Sequence, residues 1–368
     1  MSEPAIAALH RALSHVGNAS SLHAQGRLVR REVEESRELI ASALGASPSE
    51  IIFCGSGTEA NNLAIKGTFW SSGKKTIVIS AIEHHAVLDP VEWLVEHDGA
   101  RLITVPVNSD GVINLDALRT IVNENSDIAL IAVMHSNNEL GTIQPIAEVV
   151  KIAGSIPVHT DAVQSFGKVD FNFADLGVTS ATVSAHKLGG PLGIAALVLK
   201  HGLDITPILH GGGQERDIRS STLNAPGIVS FAAAVKDAVE HRAERYKKMR
   251  NLRTELIEII KKAVPDIIVN GDVQPSLPGI ANITFPGAQA ESLLVLLDQA
   301  GICASQGSAC SAGVMRPSHV ILALGKSEDI ADSTLRFSIG PTTKHSDIEH
   351  VGNVMGEVVA KARAAKKV

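Results

Sequence analysis

The sequence predicts an α/β fold, a mostly parallel, doubly wound sheet followed by a smaller α+β domain, and three observations point to it. Through the first two thirds of the 368 residues, short β-rich runs alternate with helix-patterned stretches. Most of those runs are apolar throughout, the pattern of strands covered on both faces. Glycine is abundant at 31 residues while aromatics make up only 3%, as expected where helices and strands approach through small side chains and glycine-rich turns bind ligands.

The elements follow in order. Arg27 to Leu44 places Val29, Val33, Ile40 and Leu44 near helical spacing, with Gly45 as its C-terminal cap and Ser47-Pro48-Ser49-Glu50 as a turn. Strands are expected at Ile51 to Phe53, Thr76 to Ser80, Leu102 to Val105, Ile128 to Met134, Val158 to Thr160, Thr182-Val183 and Ile194 to Leu199. From Val235 to Val264 the apolar positions Val235, Val239, Tyr246, Met249, Leu256, Ile260 and Val264 predict one long, charge-rich amphipathic helix that leaves the first domain. Beyond it come strands at Ile267 to Val269 and Ile280 to Phe285, a helix at Glu291 to Leu297, and extended segments at Gly301 to Ala304 and Leu335 to Ile339. The expected division is 1–243 for the large domain and 244–368 for the small one, with no internal repeat.

Composition narrows the function. A net charge of −6 without long runs of one sign argues against nucleic acid or an anionic membrane as the main partner. The longest apolar runs fall far short of the ~18 residues a membrane span needs. Met1-Ser2-Glu3-Pro4 shows no basic region leading into an apolar stretch, so a cytoplasmic protein is expected. Cys54, Cys303 and Cys310 include no C-x-x-C pair, so neither a disulfide framework nor a zinc site is expected, and no metal.

In open parallel sheets ligands bind beyond the carboxyl ends of the strands, and the polar residues of this chain gather there. Gly55-Ser56-Gly57-Thr58-Glu59 follows the first strand and opens a helix, an arrangement suited to a phosphate. Gly55, Gly57 and Ala60 also fit G-x-G-x-x-A, but the next strand ends in Ser80-Ala81-Ile82 without the timely acidic residue a dinucleotide fold requires. Glu83-His84-His85, His135 to Glu139, Asp161 to Gln164 and Ser184 to Lys187 follow four further strands. A single such histidine is most often a surface residue and a single post-strand aspartate a helix cap. Four clusters at four strand ends are harder to dismiss.

Pyridoxal phosphate catalysis would use this set. It needs a lysine for the Schiff base, an acid that keeps the pyridine nitrogen protonated, and a phosphate cradle, which Lys187, Asp161 and Gly57-Thr58 supply. Two features lie outside the strand ends. Cys310 stands in Ser305 to Gly313, a stretch of small residues, and reads as a nucleophile, whereas Cys54 and Cys303 in apolar runs read as small core residues. Arg336, in Leu335-Arg336-Phe337-Ser338, is a charge in a candidate strand and calls for a carboxylate, from an amino-acid substrate or from the protein.

With these residues in place the sequence resembles the pyridoxal phosphate-dependent cysteine desulfurases of the NifS/IscS type, which have the fold type I large domain. The similarity runs from Gly17-Asn18 to Gly340 and includes Gly211 to Glu215, Arg219 to Thr222, Gly307 to Ser311 and Arg336 to Ser338. The resemblance implies that Lys187 binds the cofactor covalently, His84 stacks on its ring and aids proton transfer, and Asp161 pairs with the ring nitrogen. Gln164 and Asn138 face the phenolic oxygen, with Asn137 the alternative to Asn138. Gly57, Thr58, Ser184 and His186 hold the phosphate, and Thr222 reaches in from the second subunit of a homodimer.

Arg336 takes the substrate carboxylate, with Asn138 also near the substrate. L-cysteine becomes L-alanine, and the sulfur stays as a persulfide on Cys310 before passing to an iron–sulfur scaffold or a tRNA-thiolation acceptor. The family's opening strand with Asp-x-Ala-Ala/Ser-Thr-Thr-Pro has no counterpart ahead of Pro4, which makes an altered entrance and reduced activity an expectation. The alternatives are a selenocysteine lyase, another fold type I enzyme, or a low-activity sulfur-assembly interaction protein.

Overall fold

The computed structural model describes residues 1–307 and 317–365. The chain divides into two compact units, one of residues 1–105, 115–135 and 145–242, the other of 106–114, 136–144 and 243–368.

The first unit runs α1 (Glu3–Leu13), α2 (Ala24–Leu44), β1 (Ile51–Cys54), α3 (Gly57–Ser72), β2 (Thr76–Ser80), α4 (His85–Asp98), β3 (Arg101–Val105), α5 (Leu115–Glu124), β4 (Ile128–Ala132), α6 (Ile146–Ala153), β5 (Val158–Asp161), α7 (Phe173–Leu176), β6 (Ser180–Ser184), β7 (Ala195–Leu199) and α8 (Ala225–Glu240). Its seven strands form one sheet in the order β1-β7-β6-β5-β4-β2-β3. β3, β2, β4, β5 and β6 pair in parallel, while β7 is antiparallel to both β6 and β1. Six strands therefore point one way and their carboxyl ends share one edge, as expected for the mostly parallel class. The reversed direction of β7 was not anticipated.

Every residue of β1, β2, β4, β5, β6 and β7 is buried, which explains the unbroken apolar character of β1, β4 and β7. Ile65 and Phe69 of α3 pack with Val87, Val91 and Leu94 of α4 over Ile77 and Ile79 of β2. Each such buried side chain contributes roughly 1.5–3 kcal/mol. Gly45 ends α2 in the left-handed conformation at φ 67°, as its sequence position suggested.

Residues 3–13, for which no element was expected, form α1. Ala5, Ala8 and Ala12 form its buried face, α1 packs against α8, and Ser230 Oγ donates to the Ala5 carbonyl at 2.7 Å. The backbone N–H of Ser2 bonds the Gly189 carbonyl at 2.8 Å, setting this end of the chain beside the turn that carries Lys187.

In the second unit α9 (Arg242–Ala263) leads to β8 (Ile268–Asn270), β9 (Ile280–Thr284), α10 (Ala290–Gln299), α11 (His319–Ala323), α12 (Glu328–Ala331), β10 (Thr334–Ser338) and α13 (His345–Ala365). The three strands form an antiparallel sheet ordered β10-β9-β8. Its core joins Leu256 and Ile260 to Ile283, Phe285, Leu293, Leu335, Phe337 and Met355.

Three expectations need correction here. Cys303, expected as a small core residue, is exposed, because the stretch 301–304 that carries it is no covered strand. The stretch 235–264 is not one helix: α8 stops at Glu240, with His241 as its cap, and α9 begins at Arg242. The segment 301–304 is not a strand; only Ser305 bridges Arg336 on β10.

Candidate active site

The carboxyl ends of β1, β2, β5 and β6 deliver the site's polar groups. After β1 the backbone turns through Gly55 into α3, where the Ser56 hydroxyl accepts the Glu59 N–H at 3.0 Å as N-cap. The Glu59 carboxylate accepts the Gly55 N–H at 2.8 Å and an Arg219 Nε–H at 2.7 Å. Gly57 begins the helix. A Cβ there would stand 3.2 Å from Val163 Cγ2 and 3.7 Å from Ser184 Cβ, so glycine lets the loops after β5 and β6 close on this helix end. Thr58 is exposed.

After β2, Ser80 Oγ donates to the buried Glu83 carboxyl, which also accepts the Met134 N–H at 2.8 Å. Burial outweighs these bonds and pushes Glu83 up to about 8. His84 is the N-cap of α4, its Nδ1 accepting the Ala86 N–H at 3.0 Å, which places the proton of the neutral ring on Nε2. Burial lowers its proton affinity, with Asp161 acting in the opposite direction.

Asp161 closes β5. One carboxylate oxygen accepts the Asn61 amide at 2.7 Å and the other the Val163 N–H at 2.9 Å. Burial raises its pKa, while these donors, His84 and Lys187 favour the charged form. Gln164 accepts from Lys168 Nζ at 3.0 Å. After β6, Ser184 Oγ lies 2.9 Å from His186 Nδ1, and residues 185–187 form one 3₁₀ turn that leaves His186 and Lys187 exposed. Burial and the Lys187 charge lower the His186 pKa. Asp161 at the end of β5 is the register partner of Thr182 on β6, whose next turn carries Lys187, and the charges of His84 and Lys187 both act on Asp161.

Thr222, exposed, ends a segment held at two points. Arg219 pairs with Glu59 on α3, and the buried Glu215 pairs with Arg37 on α2 at 2.7 and 2.9 Å. In the second unit, Arg336 of β10 donates from Nη1 to the Asn138 carbonyl at 3.1 Å. Asn137 Oδ1 accepts the N–H groups of Glu139 at 2.8 Å and Leu140 at 2.9 Å, committing that oxygen to its own turn. Cys310 lies outside the described residues.

A family model described as aminotransferase class-V matches residues 3–351. An IscS-like cysteine desulfurase of Mycobacterium tuberculosis is 44% identical over 99% of this chain and 95% of its own length. The chain belongs to the class-V aminotransferases, in their cysteine desulfurase group. A solved NifS-like protein superposes at a TM-score of 0.91 with 33% identity, covering 98% of this chain and 96% of that one. The structure of SspA in complex with cysteine matches at a TM-score of 0.79 and 32% identity over 94% of this chain and 97% of its own.

Members of this family are pyridoxal phosphate enzymes, and so is this one. The residues present fit that cofactor. The Gly57 opening at a helix N-terminus suits a dianionic phosphate. Beside it the buried Thr182 hydroxyl has no hydrogen-bond partner among the described residues. A buried carboxylate and an exposed lysine on neighbouring strand ends complete the acid and amine pair the cofactor requires.

The sequence reading missed Glu83 as a buried carboxyl tying β2 to the end of β4, and it missed Asn61 and His159 altogether. Asn61 is buried on α3 and bonds His159 Nε2 at 3.0 Å, while His159 Nδ1 meets Ser180 Oγ at 2.8 Å. The available signal was a pair of polar residues, His159 and Thr160, inside a strand buried on both faces.

Proposed function

We propose that the enzyme removes sulfur from L-cysteine, leaving L-alanine and a persulfide on Cys310. The observation that carries this reading is the grouping of Lys187, His84 and Asp161 around the strand ends beside the Gly57 helix start. The SspA structure, solved with cysteine, supports the choice of substrate.

Bound pyridoxal phosphate supplies a conjugated, electron-withdrawing ring that weakens the bonds at the substrate Cα. Gly57, Thr58, Ser184 and His186 hold its phosphate, and Lys187 anchors it through its amine. Asp161, held as a carboxylate by the Asn61 and Val163 donors, receives the ring N–H. Gln164, its amide oxygen already taken by Lys168, turns its amino end to the phenolic oxygen. Asn138 joins it there, since the Asn137 oxygen serves its own turn. His84, whose neutral ring holds a proton at Nε2, would pack against the cofactor ring and pass that proton to or from the substrate. Arg336 binds the substrate carboxylate.

In the sulfur step the Cys310 thiolate attacks the substrate sulfur. The substrate C–S bond breaks, an S–S bond forms, and the proton originally on the Cys310 thiol ends on alanine, so atoms and electrons balance without an outside oxidant. The persulfide then passes to an iron–sulfur scaffold or another acceptor protein.

The enzyme acts as a homodimer in this reading, with Thr222 completing the partner's phosphate site. Its anchoring through Arg219 and Glu215 favours that role, and Ile6, Leu13, Val16, Leu22 and Leu192 stand exposed for burial against a second copy. Incubation of the holoenzyme with L-cysteine should yield alanine and protein-bound persulfide in equal amounts. Cys310→Ala should keep the cofactor spectrum and lose the persulfide, and persistence of normal sulfur release in that variant would overturn the proposal.

A further inference from the structure

A one-way chain of hydrogen bonds runs through the interior of the first unit to Asp161. His159 and Asp161 stand two residues apart on β5 and so share a face, Ser180 on β6 is the register partner of His159, and Asn61 lies on α3, which packs over that face. Ser180, His159, Asn61 and Asp161 are 2%, 2%, 0% and 7% exposed, so bulk water cannot stand in for any of them.

The direction of the chain follows from chemistry. An ionised carboxylate only accepts, so Asn61 must turn its amino end to Asp161 Oδ2, at 2.7 Å. The Asn61 oxygen then accepts, and His159 Nε2, 3.0 Å away, must carry a proton. A neutral ring protonated on Nε2 accepts at Nδ1, so the Ser180 hydroxyl donates there, at 2.8 Å. Burial depresses the His159 pKa to about 3, which keeps the ring in the neutral form this pattern requires. Each donor polarises the next toward the carboxylate.

We propose that Asn61 and His159 are positioning residues for Asp161, holding it as a carboxylate so that the proton it shares with the cofactor resides on the pyridine nitrogen. The inference rests on the role given to Asp161 under the proposed function. His159 fixes which end of the Asn61 amide faces Asp161. Without it the amide is able to rotate and present oxygen to oxygen, removing the donor. Burial opposes the carboxylate form, and the donors from Asn61 and Val163, with the nearby His84 and Lys187, are what favour it. The Asp161 charge in turn acts on the buried Glu83 carboxyl on the β2 side, helping to raise its pKa.

The test uses holoenzyme loaded with cofactor labelled with 15N at the ring nitrogen. Wild type should show a pyridinium resonance. Asn61→Leu and His159→Leu should move it toward the neutral pyridine position, because loss of one hydrogen bond to a charged group shifts proton affinity by roughly tenfold or more. His159→Gln, which retains a donor, should restore most of the wild-type resonance. A resonance unmoved by Asn61→Leu would overturn the proposal. So would a wild-type His159 whose own 15N signals show a cation or an Nδ1–H ring at neutral pH, a measurement that needs no variant. Failure of wild type to form alanine from L-cysteine, with the 15N response intact, would refute the reaction assigned above and leave this inference standing.

Discussion

The carboxyl of Glu83 accepts the Met134 N–H at 2.8 Å and so joins the loop after β2 to the end of β4, immediately before His84 and His135. Ser80 also bonds it, and with burial dominant its pKa rises to about 8. A carboxyl that ionises less readily in the folded chain contributes stability that is present in full below the unfolded value of 4.5 and is lost as pH rises through about 8. Glu83→Gln keeps the shape and cannot ionise. Its stability relative to wild type should therefore grow by on the order of 3 kcal/mol between pH 5 and 8. Urea unfolding at several pH values checks this, and parallel curves would refute it.

Lys187 ends a 3₁₀ turn with its side chain exposed, so its removal takes little packing from the fold. Lys187→Ala should leave the far-ultraviolet dichroism unchanged, remove the borohydride-fixable cofactor bond, and lower turnover by roughly a thousandfold or more. A chromophore still fixed to the variant by borohydride would move the covalent link to another lysine.

Glu215 is 1% exposed and receives both Arg37 and the Phe53 N–H. Replacing it with Ala breaks a buried ion pair and leaves the Arg37 guanidinium only the half-exposed Glu34 as anionic partner, a loss of up to about 3–5 kcal/mol. Glu215→Ala should lose that much in denaturant unfolding. It should also weaken cofactor binding, since the segment it holds leads through Arg219 to Thr222. Glu215→Gln should lose less on both counts, because the amide oxygen still accepts.

Much of this arrangement was legible in the sequence, and what was missed has physical reasons. The strand ends could be read because an apolar run followed by a polar residue marks where backbone leaves a covered sheet, as at Met134 to His135 after β4 and Cys54 to Ser56 after β1. The reversal of β7 was legible in principle: the residues between Ser184 and Ala195 are too few for the dozen or more that a parallel crossover takes. The break at His241 hides because both helices carry apolar positions at similar spacing across it, so periodicity alone sees one helix. Asn61 and His159 could not be found by local pattern, since their pairing arises only when α3 lies across β5, 98 residues away in the chain.

Arg336 offers the last test. It lies on β10 between the buried Leu335 and Phe337, and its backbone bonds Ser305 in both directions at 2.7 and 3.1 Å, fixing its Cα. Nη1 reaches the Asn138 carbonyl at 3.1 Å, which orients the planar guanidinium. A fork oriented in this way recognises a carboxylate through two parallel bonds, which an ammonium cannot reproduce. Arg336→Ala should raise the KM for L-cysteine by roughly 10²-fold while changing kcat less, the signature of binding lost equally from ground and transition states. Arg336→Lys should recover only part of that loss. Steady-state alanine formation measures both parameters, and because the cofactor's lysine bond does not involve this residue, the absorbance of the resting enzyme should stay as in wild type. An unchanged KM in Arg336→Ala would assign the arginine to the Asn138 turn and leave the substrate carboxylate to another group.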